Sequence, residues 1–343
     1  MAIQGYSTQA QRTALLAGEI IGHAIPTEVL GNVAKQLKMP KNKSNVLKVR
    51  SWVPYGGSVA APNTFSVDET AHITTEGVTP TADTIVPRDV TITLQQYMCL
   101  YAFTDQTYDL YEDDIPEAMK EQTGERMGLI REKVLYGAYK ACTNLFYSGG
   151  TSRATVDEKI NETFMRRITR SLRANHAMPI TNVLDPSANY DTIAVEASFV
   201  CFAHTDCEAD IRDLPDFTPV AKYGNRKTIC DEELGTWNNV RFVLSPELTS
   251  IADSGAAISG TTNYSTTGTN ADVYPCIIMG KEAACALMLR GMEAVMPIWV
   301  PPKPSAADPG GQRGYVGAKF YFAADVLNDG WMAVGEVAIS ALT

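Results

Sequence analysis

No stretch of this chain approaches the roughly 20 unbroken apolar residues that a membrane span requires. Its opening Met1-Ala2-Ile3-Gln4-Gly5 has neither the positive charge nor the apolar run of a secretory leader. Those absences predict a soluble chain folded in the cytosol. Histidine is scarce, with only His23, His72, His176 and His204, and no motif ties one of them to a thiol, so a nucleophile with a positioned base is not indicated. Nucleotide-binding signatures are missing too: there is no GxxxxGK[ST] loop and no glycine triplet after a strand, and Tyr55-Gly56-Gly57 and Gly310-Gly311 are turn material. The seven cysteines (Cys99, Cys142, Cys201, Cys207, Cys230, Cys276, Cys285) are odd in number, scattered and mostly set among apolar neighbours. That pattern predicts reduced core thiols rather than a disulfide framework. A formal net charge of −10 opposes binding to polyphosphate through the overall field, which argues against a dedicated nucleic-acid reader. The last scarcity is local: no lysine stands between Lys48 and Lys120.

Most of that lysine-free interval, roughly residues 52 to 111, is rich in Thr, Val and Pro. Val90, Ile92 and Leu94 alternate with Thr91 and Thr93 in the manner of a strand, and Tyr55-Gly56-Gly57, Glu76-Gly77 and Val86-Pro87 punctuate the run. It reads as a long hairpin projecting from its domain. Such ribbons are marginal alone and need a neighbour, which in an assembly is another copy of the chain. Upstream, residues 11 to 37 carry two helical patterns meeting at Pro26, the second with Val29, Leu30, Val33, Ala34 and Leu37 on one stripe. Lys35, Lys38, Lys41, Lys43, Lys48 and Arg50 follow, and no acidic residue falls between Val29 and Val67. This basic run is either an arm that docks on an acidic neighbour or touches nucleic acid, or a solvated helix face and loop. An acidic belt at Asp105, Asp109, Glu112, Asp113, Asp114 and Glu117 is one available partner. The candidate assembly contacts are Lys35, Lys38, Lys41, Lys43 and Arg50, joined by Gly77 and Arg88 of the hairpin.

Asp113-Asp114-Ile115-Pro116-Glu117 is a helix start, with short acids at the cap, proline in the first turn and negative charge at the positive end of the dipole. Met127, Ile130, Val134, Ala138, Ala141 and Leu145 then recur every three or four residues up to Ser148-Gly149-Gly150, predicting a spine on the order of 50 Å long. Residues 157 to 175 predict a helix with Ile160, Phe164, Ile168 and Leu172 inward and Arg166, Arg167, Arg170 and Arg173 outward. Strands at 197 to 203, 240 to 244 and 275 to 279 and helices at 205 to 214 and 282 to 289 complete an α+β or α/β domain. The chain closes with strands around 316 to 322 and 331 to 339, with Asn328-Asp329-Gly330 as a hairpin signal between them.

Chemistry has one foothold. Cys201-x-x-His204-x-x-Cys207 has spacing that can hold zinc, but it lacks a second ligand pair, and Thr205-x-x-Glu208 explains the same segment as a capping box. The expectation is therefore no metal, no cofactor and no enzyme, with a metal- or thiol-dependent activity resting on this cluster alone.

The order of basic arm, projecting hairpin, long spine helix and terminal α+β region resembles the Hong Kong 97 fold of tailed-bacteriophage major capsid proteins. More narrowly, Thr74-Thr75-Glu76-Gly77-Val78-Thr79-Pro80-Thr81-Ala82-Asp83, Gln95-Gln96-Tyr97 and Ala102-Phe103-Thr104-Asp105-Gln106 are similar to capsid subunits typified by the short-tailed coliphage N-four. Gly314-Tyr315-Val316-Gly317-Ala318-Lys319-Phe320 and Asn328-Asp329-Gly330-Trp331 resemble the end of the same family. The resemblance implies an α+β capsid fold: N-terminal arm at 1–50, extended E-loop at 51–95, peripheral domain with the spine at 96–155, mainly axial domain at 156–313, and closing strands at 314–343. It implies a structural subunit of the virion, built in the bacterial cytoplasm as hexamers and pentamers around double-stranded DNA that it touches only non-specifically. A separate scaffolding protein, a portal and a decoration or cement protein are the expected partners, and no membrane. The fold's namesake joins its subunits covalently through an E-loop lysine, which this chain lacks, so a non-covalent shell is expected. An encapsulin-type shell around protein cargo is the alternative.

Overall fold

The computed structural model describes residues 25–79, 82–110, 115–184, 192–224, 226–258, 263–293, 295–304 and 308–342. The helical pattern before Pro26 and the acids Glu112, Asp113 and Asp114 lie outside them. After a 3-10 turn at Leu30–Asn32 comes strand β1 (Lys35–Met39), then β2 (Val46–Trp52), β3 (Pro87–Thr93) and β4 (Gln95–Thr104). Helix α1 (Asp105–Leu110) leads to the spine α2 (Ile115–Lys140), β5 (Leu145–Tyr147), α3 (Glu162–Ala174), β6 (Ile180–Leu184) and β7 (Thr192–Ala203). Helix α4 (Glu208–Arg212), β8 (Thr218–Pro219), β9 (Glu233–Trp237), β10 (Val240–Leu244), β11 (Tyr274–Met279), β12 (Ala284–Leu289), β13 (Met296–Val300), β14 (Arg313–Val326) and β15 (Met332–Val337) follow.

Two sheets and the spine make the body. One sheet has the order β5-β15-β11-β7-β10-β9-β8, with β6 also on β7; the other has the order β1-β12-β14-β13, with β4 also on β14. The period-2 geometry of strands sends alternate residues to two cores. From the first sheet, Val200, Phe202, Val243, Ile277 and Val334 meet Met127, Leu135, Tyr136 and Tyr139 of the spine, and Ala318, Phe320 and Phe322 of β14 join that same cluster. Their neighbours Phe199, Cys201, Phe242, Cys276, Ile278 and Ala333 face the other way, onto Phe164, Met165, Ile168 and Leu172 of α3. The spine is thus packed between two sheets, which is why its apolar residues are not confined to one stripe.

α3 forms as its sequence predicts. Asn161 caps it by accepting from the Phe164 N–H at 2.8 Å, and the apolar residues at three- and four-residue spacing are buried. Four other readings change. Residues 29 to 37 are a turn and a strand rather than a helix, because the spine carboxylate Glu132 captures the Val29 and Leu30 N–H groups and the edge of β12 offers β1 a parallel ladder. The spine ends at Lys140, about 39 Å from its start. Leu145 belongs to β5, recruited by the open edge of β15. Residues 284 to 289 are β12 rather than a helix: the run Ala-Cys-Ala-Leu-Met-Leu is covered on both faces between β1 and β14, and unbroken apolar runs read equally as buried strand or helix. The closing strands β14 and β15 do not pair. Asn328 caps a 3-10 turn at Asp329–Trp331 that carries the chain from one sheet to the other.

Candidate assembly surface

β2 and β3 form a two-stranded antiparallel ladder from Val46 opposite Thr93 to Trp52 opposite Pro87. The stem therefore starts at Val46, upstream of residue 51. Ile92 and Leu94 are buried with Met39, Cys285, Leu287 and Ala323, so one face of the stem covers the end of the five-stranded sheet that lies away from the spine. Bidentate pairing of Arg50 with Asp89 across the ladder, at 2.7 and 2.9 Å, holds the guanidinium charged and lowers the carboxyl pKa.

Beyond the stem, the Val53 N–H donates to Val86 O at 2.9 Å, and the described residues between them hold turns, among them a 3-10 turn at Thr70–His72, and no strand. This connection touches its own body at a few points. Asn63 and Asn328 exchange reciprocal amide hydrogen bonds at 2.9 and 2.7 Å, and Phe65 packs edge-on to His176 with ring centres 4.8 Å apart. Gly330 permits the first contact, because a Cβ there would fall 2.1 Å from the Asn63 side-chain nitrogen. Much of the remainder is exposed, with Trp52, Tyr55, Val59, Val67, Ile73, Val78, Ile85 and Val86 open to solvent, and Phe65 itself is covered only in part. A second bare apolar area lies on the five-stranded sheet beyond the stem, where Met98 and Leu100 of β4 and Val300 of β13 are exposed on the face opposite the spine. Exposed apolar surface on this scale marks interaction sites.

The candidate residues fall at different places. Lys35 pairs with Glu282 at 2.6 Å and Lys38 with Glu293 at 3.1 Å, so these charges and Arg50 meet carboxylates elsewhere on their own chain. Lys41 and Lys43 stand exposed in the turn between β1 and β2. Arg88 donates from Nη1 to Leu327 O at 2.8 Å and ties the stem to the end of β14. Gly77 is exposed at the far bend, where the Val78 N–H donates to Thr75 O; its φ of +78° is one that only glycine adopts freely.

Sequence reasoning missed two buried charged groups. Glu132 accepts from the Val29 and Leu30 N–H groups at 3.1 Å each, 103 and 102 residues away, and anchors the arm to the spine. Burial raises its pKa to about 7, with Glu28 and Glu247 adding to the rise against the two amides. Arg241 and Glu233 face each other at 3.4 Å, both buried; Glu233 also accepts from Tyr223 Oη and the Ile229 N–H, while Arg241 donates to Lys227 O. Isolated carboxylates in a charged chain carry no signal of this kind; only the fold brings their amides to them.

The Cys201, His204 and Cys207 segment has a different local explanation from the expected capping box. His204 itself is the cap, its Nδ1 accepting from the Asp206 N–H at 3.1 Å. Cys201 and Cys207 are buried beside Cys276; burial first pushes the Cys201 thiol up, and the hydrogen bond with Cys276 first pushes Cys207 up. These are core thiols, and among the described residues no group of three or more His, Cys, Asp or Glu side chains gathers as a metal site. Among those residues, too, no helix is long and apolar enough to cross a membrane.

No protein-family model and no curated protein matches the chain. Solved structures do. The capsid of Ralstonia phage GP4 superposes with a TM-score of 0.64 at 12% identity, over 97% of this chain and 96% of that one. The capsid of cyanophage P-SCSP1u gives 0.60 at 10% identity over 96% and 94%, and that of cyanophage Pam1 gives 0.56 at 14% over 98% and 100%. The superpositions cover nearly the whole chain, which has the α+β, Hong Kong 97-like fold of phage capsid subunits.

Proposed function

We propose that this chain is the major capsid protein of a tailed bacteriophage, assembling as hexamers and pentamers into an icosahedral head around double-stranded DNA. The observation that carries the reading is the near end-to-end superposition on phage capsid subunits. The exposed apolar hairpin supports it, since a surface that costs solubility in a monomer is expected where a second copy covers it. In this reading residues 1–50 are the arm, 51–95 the E-loop, 96–155 the peripheral domain, 156–313 mainly the axial domain and 314–343 the closing strands. The strings around Thr74–Asp83 and Gly314–Phe320 support placement with the N-four-like subunits. A scaffolding protein, a portal and a cement protein are the partners such a shell requires, the virion is its location, and no step of catalysis is assigned to it.

The test is electron microscopy of the expressed chain, alone and with its phage's scaffold, followed by a denaturing gel. Icosahedral shells whose subunits run singly at 37.3 kDa are expected. Failure to form any shell under both conditions would overturn the reading. Shells that purify with protein cargo and reject DNA would mark an encapsulin-type container, and covalent multimers would refute the non-covalent account.

A further inference from the structure

α3 carries a row of guanidinium groups on its solvent side. Arg166, Arg167, Arg170 and Arg173 are all exposed, and Arg166, Arg170 and Arg173 follow one another at four- and three-residue spacing along about 10 Å of helix axis. The buried face of the helix is apolar, so the row cannot turn inward. Arg166 pairs with Glu162 and Arg167 lies 5.9 Å over the Phe146 ring. Among the described residues, Arg170 and Arg173 have no acidic partner.

Beside the row lies a cleft of about 230 Å³ between Arg166, Thr169 and Arg173 and the tip of the β9–β10 hairpin, Trp237 to Asn239. Asn238 and Asn239 both have left-handed backbones, with φ of 42° and 66°, as a two-residue turn with this twist requires. The turn therefore sets two exposed carboxamides next to two guanidinium groups. Beyond the turn the surface carries Asp216 and the ion pair of Glu196 with Arg226 at 3.2 Å.

We propose that this arginine row and its cleft bind the phosphodiester backbone of double-stranded nucleic acid, the surface through which a shell of this chain meets its enclosed DNA; the biological context rests on the capsid reading, the binding chemistry does not. Arginine forks grip phosphate and carboxylate oxygens alike, two at a time, so charge alone does not decide between a polyphosphate and an acidic protein; the character of the face does. The exposed face of α3 presents no large apolar side chain, so a protein partner would lack the desolvated anchor that supplies most binding energy in protein interfaces, whereas nucleic-acid interfaces are polar and cationic. In a chain of net charge −10, the row is a local exception that orients the molecule towards a polyanion while the rest repels it. No base-reading element accompanies it, so binding is independent of sequence.

The experiment measures binding of the soluble subunit to a random duplex of about 30 base pairs across a salt series. Four proteins are compared: wild type, Arg166→Gln/Arg170→Gln/Arg173→Gln, the corresponding triple Lys variant, and Lys281→Gln/Lys303→Gln, two exposed lysines outside the row, as a control for general charge. Three phosphate contacts contribute about −2.7 to the slope of log K against log salt. The Gln variant should lose that much slope and at least tenfold in affinity near 0.1 M salt. The Lys variant should keep the slope, and the control should keep most of it. An unchanged slope in the Gln variant, a loss as large in the control, or no duplex binding by wild type overturns the proposal. So does competition by polyglutamate at equal charge that matches DNA, which would assign the face to an acidic protein. Micrographs of the same proteins separate the two readings: shells that form normally while duplex binding is untouched by the Gln changes sink this inference alone, and absence of shells in wild type sinks the capsid reading alone.

Discussion

Replacing Glu132 tests the connection between arm and spine most directly. In Glu132→Ala the Val29 and Leu30 N–H groups lose their acceptor inside the core, and each buried orphan costs about 1–3 kcal/mol, offset in part by removal of a carboxylate that is itself costly to bury. A net loss of about 2–4 kcal/mol is expected, concentrated in the segment before β1. Amide hydrogen exchange should show Val29 and Leu30 unprotected while β7 and β11 stay slow. Glu132→Gln keeps an oxygen acceptor without the charge, and its loss should be within about 1 kcal/mol. The two variants also separate on pH. The folded chain holds the Glu132 proton more tightly than the unfolded chain, with a pKa of about 7 against 4.5. Protonation therefore stabilises the fold: the contribution is complete below about pH 4.5 and is lost as pH rises through 7. A shift of that size corresponds to at most roughly 3 kcal/mol between those limits. Glu28 and Glu247 face the group from the arm and the 245–249 segment, and Lys133 pairs with Glu247 at 3.5 Å, so their variants should move the midpoint less than removal of Glu132 itself. Urea titrations between pH 5 and 8 should show a wild-type stability that falls with pH and a flatter Gln variant. Equal slopes in the two proteins, or full protection of Val29 in the Ala variant, would refute the argument.

Gly77→Val places a β-branched residue at φ of +78° in an open bend, where nothing stands within 4 Å of the new Cβ; a local strain of about 1–2 kcal/mol is expected, with a folded, soluble subunit and poor shell yield by micrograph. Normal shell yield would remove the bend from the assembly surface. Arg241→Met leaves Glu233 buried without its cation and should lower stability by about 3–5 kcal/mol in urea titration, more than Arg50→Met, whose pair with Asp89 is exposed; equal effects would refute the ranking. Val134→Pro breaks the middle of α2 against its two-sheet core and should cost 3 kcal/mol or more, seen as insoluble or proteolysed protein; soluble protein with unchanged helical signal would contradict the spine's place in the core.

Local chemistry by itself determined those elements whose periodicity and caps agree. Asn161 followed by Phe164, Ile168 and Leu172 could be little other than α3, and the alternation at Val90, Ile92 and Leu94 needed no partner to read as strand. The order of basic arm, hairpin, spine and terminal α+β region pointed to the capsid fold from the sequence. Partners distant in sequence decided the rest. Residues 35 to 39 and 284 to 289 are strands because each lends the other a ladder across some 250 positions, and neither segment's own pattern distinguishes strand from helix. The spine stopped at Lys140 because β15 offered Leu145 an edge. The acids at 105 to 117 looked like partners for the basic run, yet Lys35, Lys38 and Arg50 meet Glu282, Glu293 and Asp89, since short-range pairing goes to whichever carboxylate the fold brings within about 3 Å. Glu132 and Arg241 had no signature in the sequence at all: what distinguishes them from the chain's other charges is burial among particular amides and carboxylates, a property only tertiary packing confers.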